Sequence, residues 1–504
     1  MRLTDLLAGD DGDLLVHAAD RDHIRGEVRA RAAAITAALA DAGVGPGNPV
    51  AVMAPNGVEV VAALFGVWGA GGVHVPLNPR LTDAEVERVL ATVRPAAVVA
   101  TPALAPRLAG HPAVVLEDGG GAVRRGPEAP AAEPARHDGD VALVQFTSGT
   151  TGAPKPVLLR HSGVIELIDG VLATLRGGRA PGPGPGPGAG DRRPMPNLVP
   201  VSLSLWAGIY TVLFAFRVGA PVVVMDGFDT LEFARLVARF RLRSTVLPPA
   251  AMAMLVDDER VTSLEPLRYV RSITAPLSPL QARRFRERFG VGVLNGYGQT
   301  EIGGEIIGWS AADLRTHGDA KLGSVGRPHR GVEVRAVDPD GRTLGPDEPG
   351  ELWVRTPALS AGYADGTDLG DRLTPDGWFR TGDVGRVDAD GFVWIEGRVS
   401  DMINRGGLKV HPGEVEEVLR TVPGVADAAV VGVPDERLGE VPWAFVVAAG
   451  AAPPPDDELV AACRAHLAPY KVPVRFLAVD ELPRNEVGKV LKAELVREAT
   501  GGRA

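Results

Sequence analysis

Residues able to cradle and polarise an anion crowd into one short stretch, Phe146-Thr147-Ser148-Gly149-Thr150-Thr151-Gly152-Ala153-Pro154-Lys155, which follows the apolar run Val141-Ala142-Leu143-Val144. Glycine lets backbone N–H groups approach a phosphate closely, hydroxyls donate to its oxygens, and lysine adds charge. The spacing is not that of a Walker A loop, which needs G-x-x-x-x-G-K-[ST]. A solvated Gly/Thr-rich turn has the same composition, so this string alone does not choose between phosphate cradle and turn.

Four further segments carry chemically able side chains in order along the chain. They are Asn295-Gly296-Tyr297-Gly298-Gln299-Thr300-Glu301, Trp378-Phe379-Arg380-Thr381-Gly382-Asp383, the stretch from Gly397-Arg398-Val399-Ser400-Asp401 through Asn404-Arg405-Gly406-Gly407-Leu408-Lys409, and Pro483-Arg484-Asn485-Glu486-Val487-Gly488-Lys489. Singly, each has an ordinary explanation. Tyr297 reads as a packed aromatic, Asp383 as a turn residue and Lys489 as a solvated lysine.

The elements that must position them alternate. Helical periodicity over residues 28–43, a buried strand at Val50-Ala51-Val52-Met53, a helix from Glu59 to Val67, a strand at Val73 to Leu77, a helix from Asp83 to Val93 capped by Thr82, and a strand at Ala97 to Ala100 follow one another. Such alternation predicts a parallel α/β sheet with helical crossovers. Strands continue at Pro221 to Met225, Ser244 to Leu247 and Tyr269 to Ile273; the Gly/Pro run 177–190 between reads as a mobile surface loop. From about 323 to 395 short alternating strands predict a small β subdomain. A compact, mobile α+β tail follows, with helices at Pro412 to Leu419 and Asp456 to His466 and strands at 428–431 and 444–447. The boundary falls at Ser400–Asp401, giving a large domain over 1–400 and a small one over 401–504 that carries Lys489.

At 504 residues with 45% apolar content the chain exceeds one ordinary core. A net charge of −10 argues against general nucleic-acid binding, which needs a basic face. The single cysteine, Cys463, excludes an intramolecular disulfide and a Cys-based zinc site and reads as a small core residue. The start Met1-Arg2-Leu3-Thr4-Asp5 is no secretory signal. The uncharged stretch Leu198 to Phe216 holds Pro200, Ser202, Ser204 and Gly208 and reads as a buried helix, not a membrane span. A cytoplasmic protein is expected.

Taken together and in this order, the segments resemble the core motifs of the adenylate-forming superfamily: acyl-CoA synthetases, peptide-synthetase adenylation domains and firefly-type luciferases. The resemblance runs from about Gly26 to Lys492. It implies an enzyme that joins a carboxylic acid to the α-phosphate of ATP, releases pyrophosphate and passes the acyl group to a thiol, with ATP, Mg²⁺ and coenzyme A as cofactors. It implies that Thr147, Ser148, Gly149, Thr150, Thr151, Gly152 and Lys155 hold the β- and γ-phosphates. Glu301, beside Thr300, would ligate Mg²⁺. Tyr297 would stack on adenine with Asn295, Gly296 and Gly298 along its edge; Asp383 would accept from the ribose hydroxyls, and Arg398 would sit near ribose and phosphate. Lys489 would bridge the substrate carboxylate and the α-phosphate. Asp401 matches the hinge, after which Gly406 and Gly407 swing toward the thiol entry path.

Two departures stand out. Where the loop of the family continues Pro-Lys-Gly, this chain has Pro154-Lys155-Pro156, and proline removes an N–H. Leu205 occupies the place of a histidine common in acyl-CoA synthetases. Peptide-synthetase domains hold the substrate amino group with an Asp in this helix; Asn197 to Met225 contains no Asp or Glu, so the resemblance speaks against an α-amino acid substrate. Leu205, Trp206, Ile209 and Tyr210, with Thr274 and Ala275 of the loop ending in Pro276, are expected to line a pocket for an apolar or bulky acid. The expected acceptor is coenzyme A, with a carrier-protein phosphopantetheine as alternative and a nucleotide-binding protein without turnover as the non-enzyme rival. Oligomeric state is not legible.

Overall fold

Apolar runs of four or five residues separated by helices have one good packing solution, a sheet buried on both faces. In the computed structural model, which describes every residue except 20, 118, 129, 131, 148–153, 176–193, 451, 486–487 and 502–504, that solution recurs. The first sheet has the strand order Ala122–Arg125, Ala113–Leu116, Ala97–Ala100, Pro49–Met53, Val73–Pro76, Val141–Phe146, Pro156–Arg160. Its interior pairs are parallel, and its two outermost pairs are antiparallel. Helices Arg25–Asp41 and Val58–Gly69 pack against it; the latter buries nearly every side chain. Thr82 caps the helix Asp83–Val93 reciprocally with Glu85, as its sequence predicts.

A second sheet sets Asn197–Val199 and Val222–Val224 beside Leu14–His17 and Asp22–Ile24. The stretch expected to be one buried helix is therefore divided. Residues Asn197–Val199 pair with Val222–Val224, and the helix runs only over Trp206–Arg217. Pro200 and the following serines interrupt it, since proline pushes its predecessor to extended dihedrals. Among the described residues no helix is long and apolar enough to cross a membrane.

The third sheet runs Ser244–Leu247, Tyr269–Ser272, Gly292–Gln299 in parallel and then turns antiparallel through Gly304–Gly308. The fourth is the expected β subdomain, an antiparallel meander of Glu333–Val337, Gly350–Arg355, Phe379–Val387 and Val393–Arg398. A 3₁₀ turn at Val399–Asp401 leads into the fifth sheet, in which Val425–Asp435 and Gly439–Ala448 pair over ten register positions. Helices Pro412–Arg420 and Asp456–His466 cover it, and Cys463 is buried in its core. The Gly/Pro run at 177–190 lies outside the described residues.

His74, on the strand Val73–Pro76, is almost wholly enclosed by Val60, Val61, Leu64, Leu203, Ile209 and Val212 around a small void. Burial lowers its imidazole from 6.5 to about 3. The folded chain thus refuses a proton that the unfolded chain accepts. The corresponding stability is present above pH 6.5 and is lost as pH falls from there toward 3. At pH 5 the loss from this residue alone is about 2 kcal/mol. His74→Leu should narrow the difference in urea-unfolding free energy between pH 7 and pH 5 by about that amount; an unaltered difference would assign the acid sensitivity elsewhere.

Candidate active site

The chemically able segments, distant in sequence, converge where the third and fourth sheets meet the fifth. They line one cavity of about 2410 Å³, larger than the few hundred to a thousand Å³ usual for a single small ligand. There is room for a nucleotide and a second substrate together.

Asn295 to Gln299 finish the strand Gly292–Gln299, and Thr300 and Glu301 form the 3₁₀ turn after it. Gly298 must be glycine because a Cβ there would overlap the Gly304 carbonyl of the returning strand. Tyr297 donates its hydroxyl to Asp383 Oδ2 at 2.6 Å. Gln299 donates to the same oxygen at 2.7 Å and to the Thr381 carbonyl at 2.9 Å. Asp383 and Arg398 are register partners across antiparallel strands, and Arg398 Nε lies 2.8 Å from Asp383 Oδ1. Asp383 is 4% exposed. Burial, and next the Asp383 carboxylate, hold the Tyr297 phenol well above its usual range, so it remains a donor.

Lys489 lines the same cavity. Its backbone is fixed by Asn485, whose Oδ1 accepts from Lys489 N at 2.9 Å and whose N donates to the Lys489 carbonyl at 3.0 Å. Burial, followed by repulsion from Arg398, lowers its ammonium to about 8 against the opposing pull of Asp383 and Asp401. A partly desolvated ammonium with a cationic neighbour is poised for anions. Asp401 lines the same cavity.

Thr147 and Lys155 lie at the base of a hairpin between Val141–Phe146 and Pro156–Arg160. Thr147 N donates to the Lys155 carbonyl at 2.9 Å, and Lys155 N to Thr147 Oγ1 at 3.1 Å. Both line the cavity, and Lys155 Nζ stands 5.2 Å over the Tyr363 ring. Pro156 is the first residue of its strand, a position that tolerates a missing N–H. The expected cradle residues Ser148, Gly149, Thr150, Thr151 and Gly152 lie outside the described residues.

Glu301 is 8% exposed, and Arg372 Nη1 lies 2.9 Å from its Oε1. Arg372 also donates to Gln299 Oε1 at 3.0 Å and to the Thr381 carbonyl at 3.2 Å. Among the described residues no group of three or more His, Cys, Asp or Glu could hold a metal by itself. One carboxylate with neighbouring hydroxyls is a hard-oxygen set that suits magnesium completed by phosphate oxygens and water. The residues present fit the implied ion.

Leu205, Trp206, Tyr210, Thr274 and Ala275 all line the cavity. Thr274 has φ +76°, a left-handed conformation that is unusual for a β-branched residue and marks a strained wall. Ile209 is the exception: it is 2% exposed and faces the void beside His74, because its neighbours on the helix turn the other way. Gly406 and Gly407 form the two-residue turn between Ile403–Arg405 and Leu408–Val410, with φ +59° and +88°, and do not reach the cavity wall in this conformation.

The sequence alone assigns no role to Gln299, Arg372, Arg271 or Glu305. Gln299 sits inside a motif and could have been found. Arg372 touches Glu301 across 71 residues of sequence with no local signal.

Comparison with known proteins agrees with this geometry. The model of the AMP-binding enzyme family matches residues 13–364, and that of its C-terminal domain matches 414–489. The chain is 34% identical to a feruloyl-CoA synthase of Amycolatopsis over 94% of this chain and 93% of that one. It is 32% identical to a 4-coumarate–CoA ligase-like protein of Oryza sativa over 91% of this chain and 79% of that one. Among solved structures, an amide bond synthetase from Marinactinospora thermotolerans superposes with a TM-score of 0.85 at 29% identity, covering 99% of both chains. The chain belongs to the AMP-binding enzyme family and is an adenylate-forming ligase of the acid–thiol kind.

Proposed function

We propose that the protein activates an aromatic carboxylic acid with ATP and transfers the acyl group to coenzyme A. The observation that carries this reading is that Lys489, Asp383 and Arg398 line one cavity, with the Lys489 ammonium in electrostatic reach of both others. In the first step a carboxylate oxygen attacks the α-phosphorus, the bond to the bridging oxygen breaks, and pyrophosphate leaves with that electron pair. Two anions must approach, so cationic side chains lower the barrier. Lys489 binds both the acid oxygen and an α-phosphate oxygen. Arg398, held by Asp383, orients ribose and phosphate, while Thr147 and Lys155 steady the outgoing phosphates. Glu301 and Thr300 would hold the magnesium ion, which would offset phosphate charge when bound.

The aromatic assignment rests on the Trp206 and Tyr210 walls and on relatives named for feruloyl and 4-coumaroyl substrates. In the second step the thiol attacks the acyl carbon and AMP departs. We place the hinge for the change between steps at Asp401, between a large domain over 1–400 and a small one over 401–504, with Gly406 and Gly407 coming to the thiol path afterwards. Carrier-protein phosphopantetheine is the alternative thiol. The amide bond synthetase likeness supports a second reading, in which an amine takes the acyl group.

Pyrophosphate release against aryl, fatty and amino acids, with coenzyme A, phosphopantetheinyl carrier protein or amine present, tests the reading. An aryl-CoA product is expected; release with fatty acids alone would overturn the aromatic assignment. Lys489→Ala should slow adenylation about 10²–10³-fold while leaving conversion of preformed acyl-AMP to thioester near wild type. Because Lys489 is charged below about 8 and neutral above it, kcat/KM for adenylation should fall as pH rises through that value. The limb should vanish in Lys489→Ala. Asp401→Pro should spare adenylation and cripple thioester formation; equal loss in both half-reactions would remove the hinge from Asp401.

A further inference from the structure

Lys489 stands on a short antiparallel segment whose two ends are tied to the fifth sheet separately. Leu491 N donates to the Pro483 carbonyl at 2.8 Å, Arg484 and Val490 form a bridge, and Asn485 N donates to the Lys489 carbonyl. At the far end, Lys492 Nζ lies 2.7 Å from Glu416 Oε1 on the helix Pro412–Arg420. Glu416 is 9% exposed and also accepts from Val430 N at 2.9 Å. Burial disfavours its anion, but Lys492 and Arg420 outweigh burial and hold the carboxyl below its usual range. At the near end, Arg484 pairs with Asp427 Oδ2 on the strand Val425–Asp435. Arg420 joins the two carboxylates: its Nε lies 2.9 Å from Asp427 Oδ1, its Nη2 lies 3.7 Å from Glu416 Oε2, and Nη2 donates to the Ala428 carbonyl at 2.7 Å.

The Arg484 guanidinium does more than close an ion pair. Nη2 meets Asp427 Oδ2, and Nη1 donates to the Gly488 carbonyl. That carbonyl belongs to the peptide bond joining Gly488 to Lys489. A planar fork held at both terminal nitrogens is a stiff strut, so the position of Asp427 is passed directly to the peptide that carries the lysine. With side chains 41% and 26% exposed, the Arg484–Asp427 pair adds little to stability. What the strut supplies is direction. Gly488 has φ +81°, and a Cβ there would come within 3.2 Å of Ala250 Cβ on the helix Pro249–Asp257, so the segment has little room to shift that way.

We propose that Asp427 and Arg484 are positioning residues for adenylation: the strut they form fixes the peptide before Lys489 and so aims the ammonium at the Asp383–Arg398 cluster. This assignment rests on the ligase reading and extends it to residues that act through Lys489.

The test compares Asp427→Asn, Arg484→Gln and the double variant with wild type in two half-reactions, pyrophosphate release and conversion of preformed acyl-AMP to thioester. Each single variant should slow adenylation about tenfold or more. The thioester step, which does not use Lys489, should stay within about twofold of wild type. The double variant should be no slower than the slower single one, since both changes remove the same strut. A second readout needs no turnover: pH-dependent labelling of the Lys489 amine with acetic anhydride, followed by mass spectrometry of its peptide. In wild type the amine, facing Arg398, Asp383, Asp401 and Lys492, should titrate at about 8. In the variants it should titrate higher, toward the ordinary lysine range, as it leaves Arg398 and its buried setting. An unaltered Lys489 titration overturns the proposal, as do equal losses in both half-reactions or single effects that multiply in the double variant. A titration that shifts as expected in a protein that releases pyrophosphate with no acid upholds the strut and strikes the ligase reading instead.

Discussion

The Asp383 carboxylate is the point on which the site depends. Buried at 4% exposure, it accepts from Tyr297 and Gln299 on the third sheet and faces Arg398 across its own sheet. Removing a partner from this cluster is destabilising, because the buried carboxylate is left with less compensation for its charge. The cluster therefore does two things. It fixes the relative position of the third and fourth sheets, and it holds the guanidinium whose repulsion, with burial, depresses Lys489. Structure and reactivity share one set of atoms.

That sharing explains what sequence could and could not reveal. Local chemistry was legible: the Thr82 cap with Glu85, the strand at Pro49–Met53, the meander after residue 323 and the α+β tail all follow from spacing within a dozen residues. So was the family, since its motifs are short runs with a preserved order. The pairings between motifs were not. Arg372 meets Glu301 where two 3₁₀ turns come together, and Arg271 meets Glu305 across the intervening strand Gly292–Gln299; no periodicity in any of these segments encodes the meetings. The two misplacements share a cause. Ile209 was assigned to the pocket by its apolar type, but an apolar residue on a two-sided helix faces either ligand or core, and here the His74 side claims it. The division of Leu198 to Phe216 into strand and helix was written in Pro200, and composition alone hid it.

The interaction of Arg372 with Glu301 bears on how the site waits for substrate. An acidic protein of net charge −10 must attract a polyphosphate, so its local cations cannot all be neutralised. Arg372 and Arg398 are paired with Glu301 and Asp383, while Lys489 and Lys155 make no ion pair among the described residues. The paired arginines offset the charge of two carboxylates that line the cavity.

The acyl side obeys a different rule. Phosphate recognition tolerates water and mobile lysines because charge acts over several ångströms, screened but not abolished. Recognition of one acid among many similar ones has to come from groups whose hydrogen bonds fail when the wrong acid enters, and such groups must be rigid and dry. The helix Trp206–Arg217 and the strands around Glu305 meet through such rigid contacts: Trp206, Tyr210 and Phe214 pack ring against ring, and Glu305 is slotted between Gly296 and Gly308.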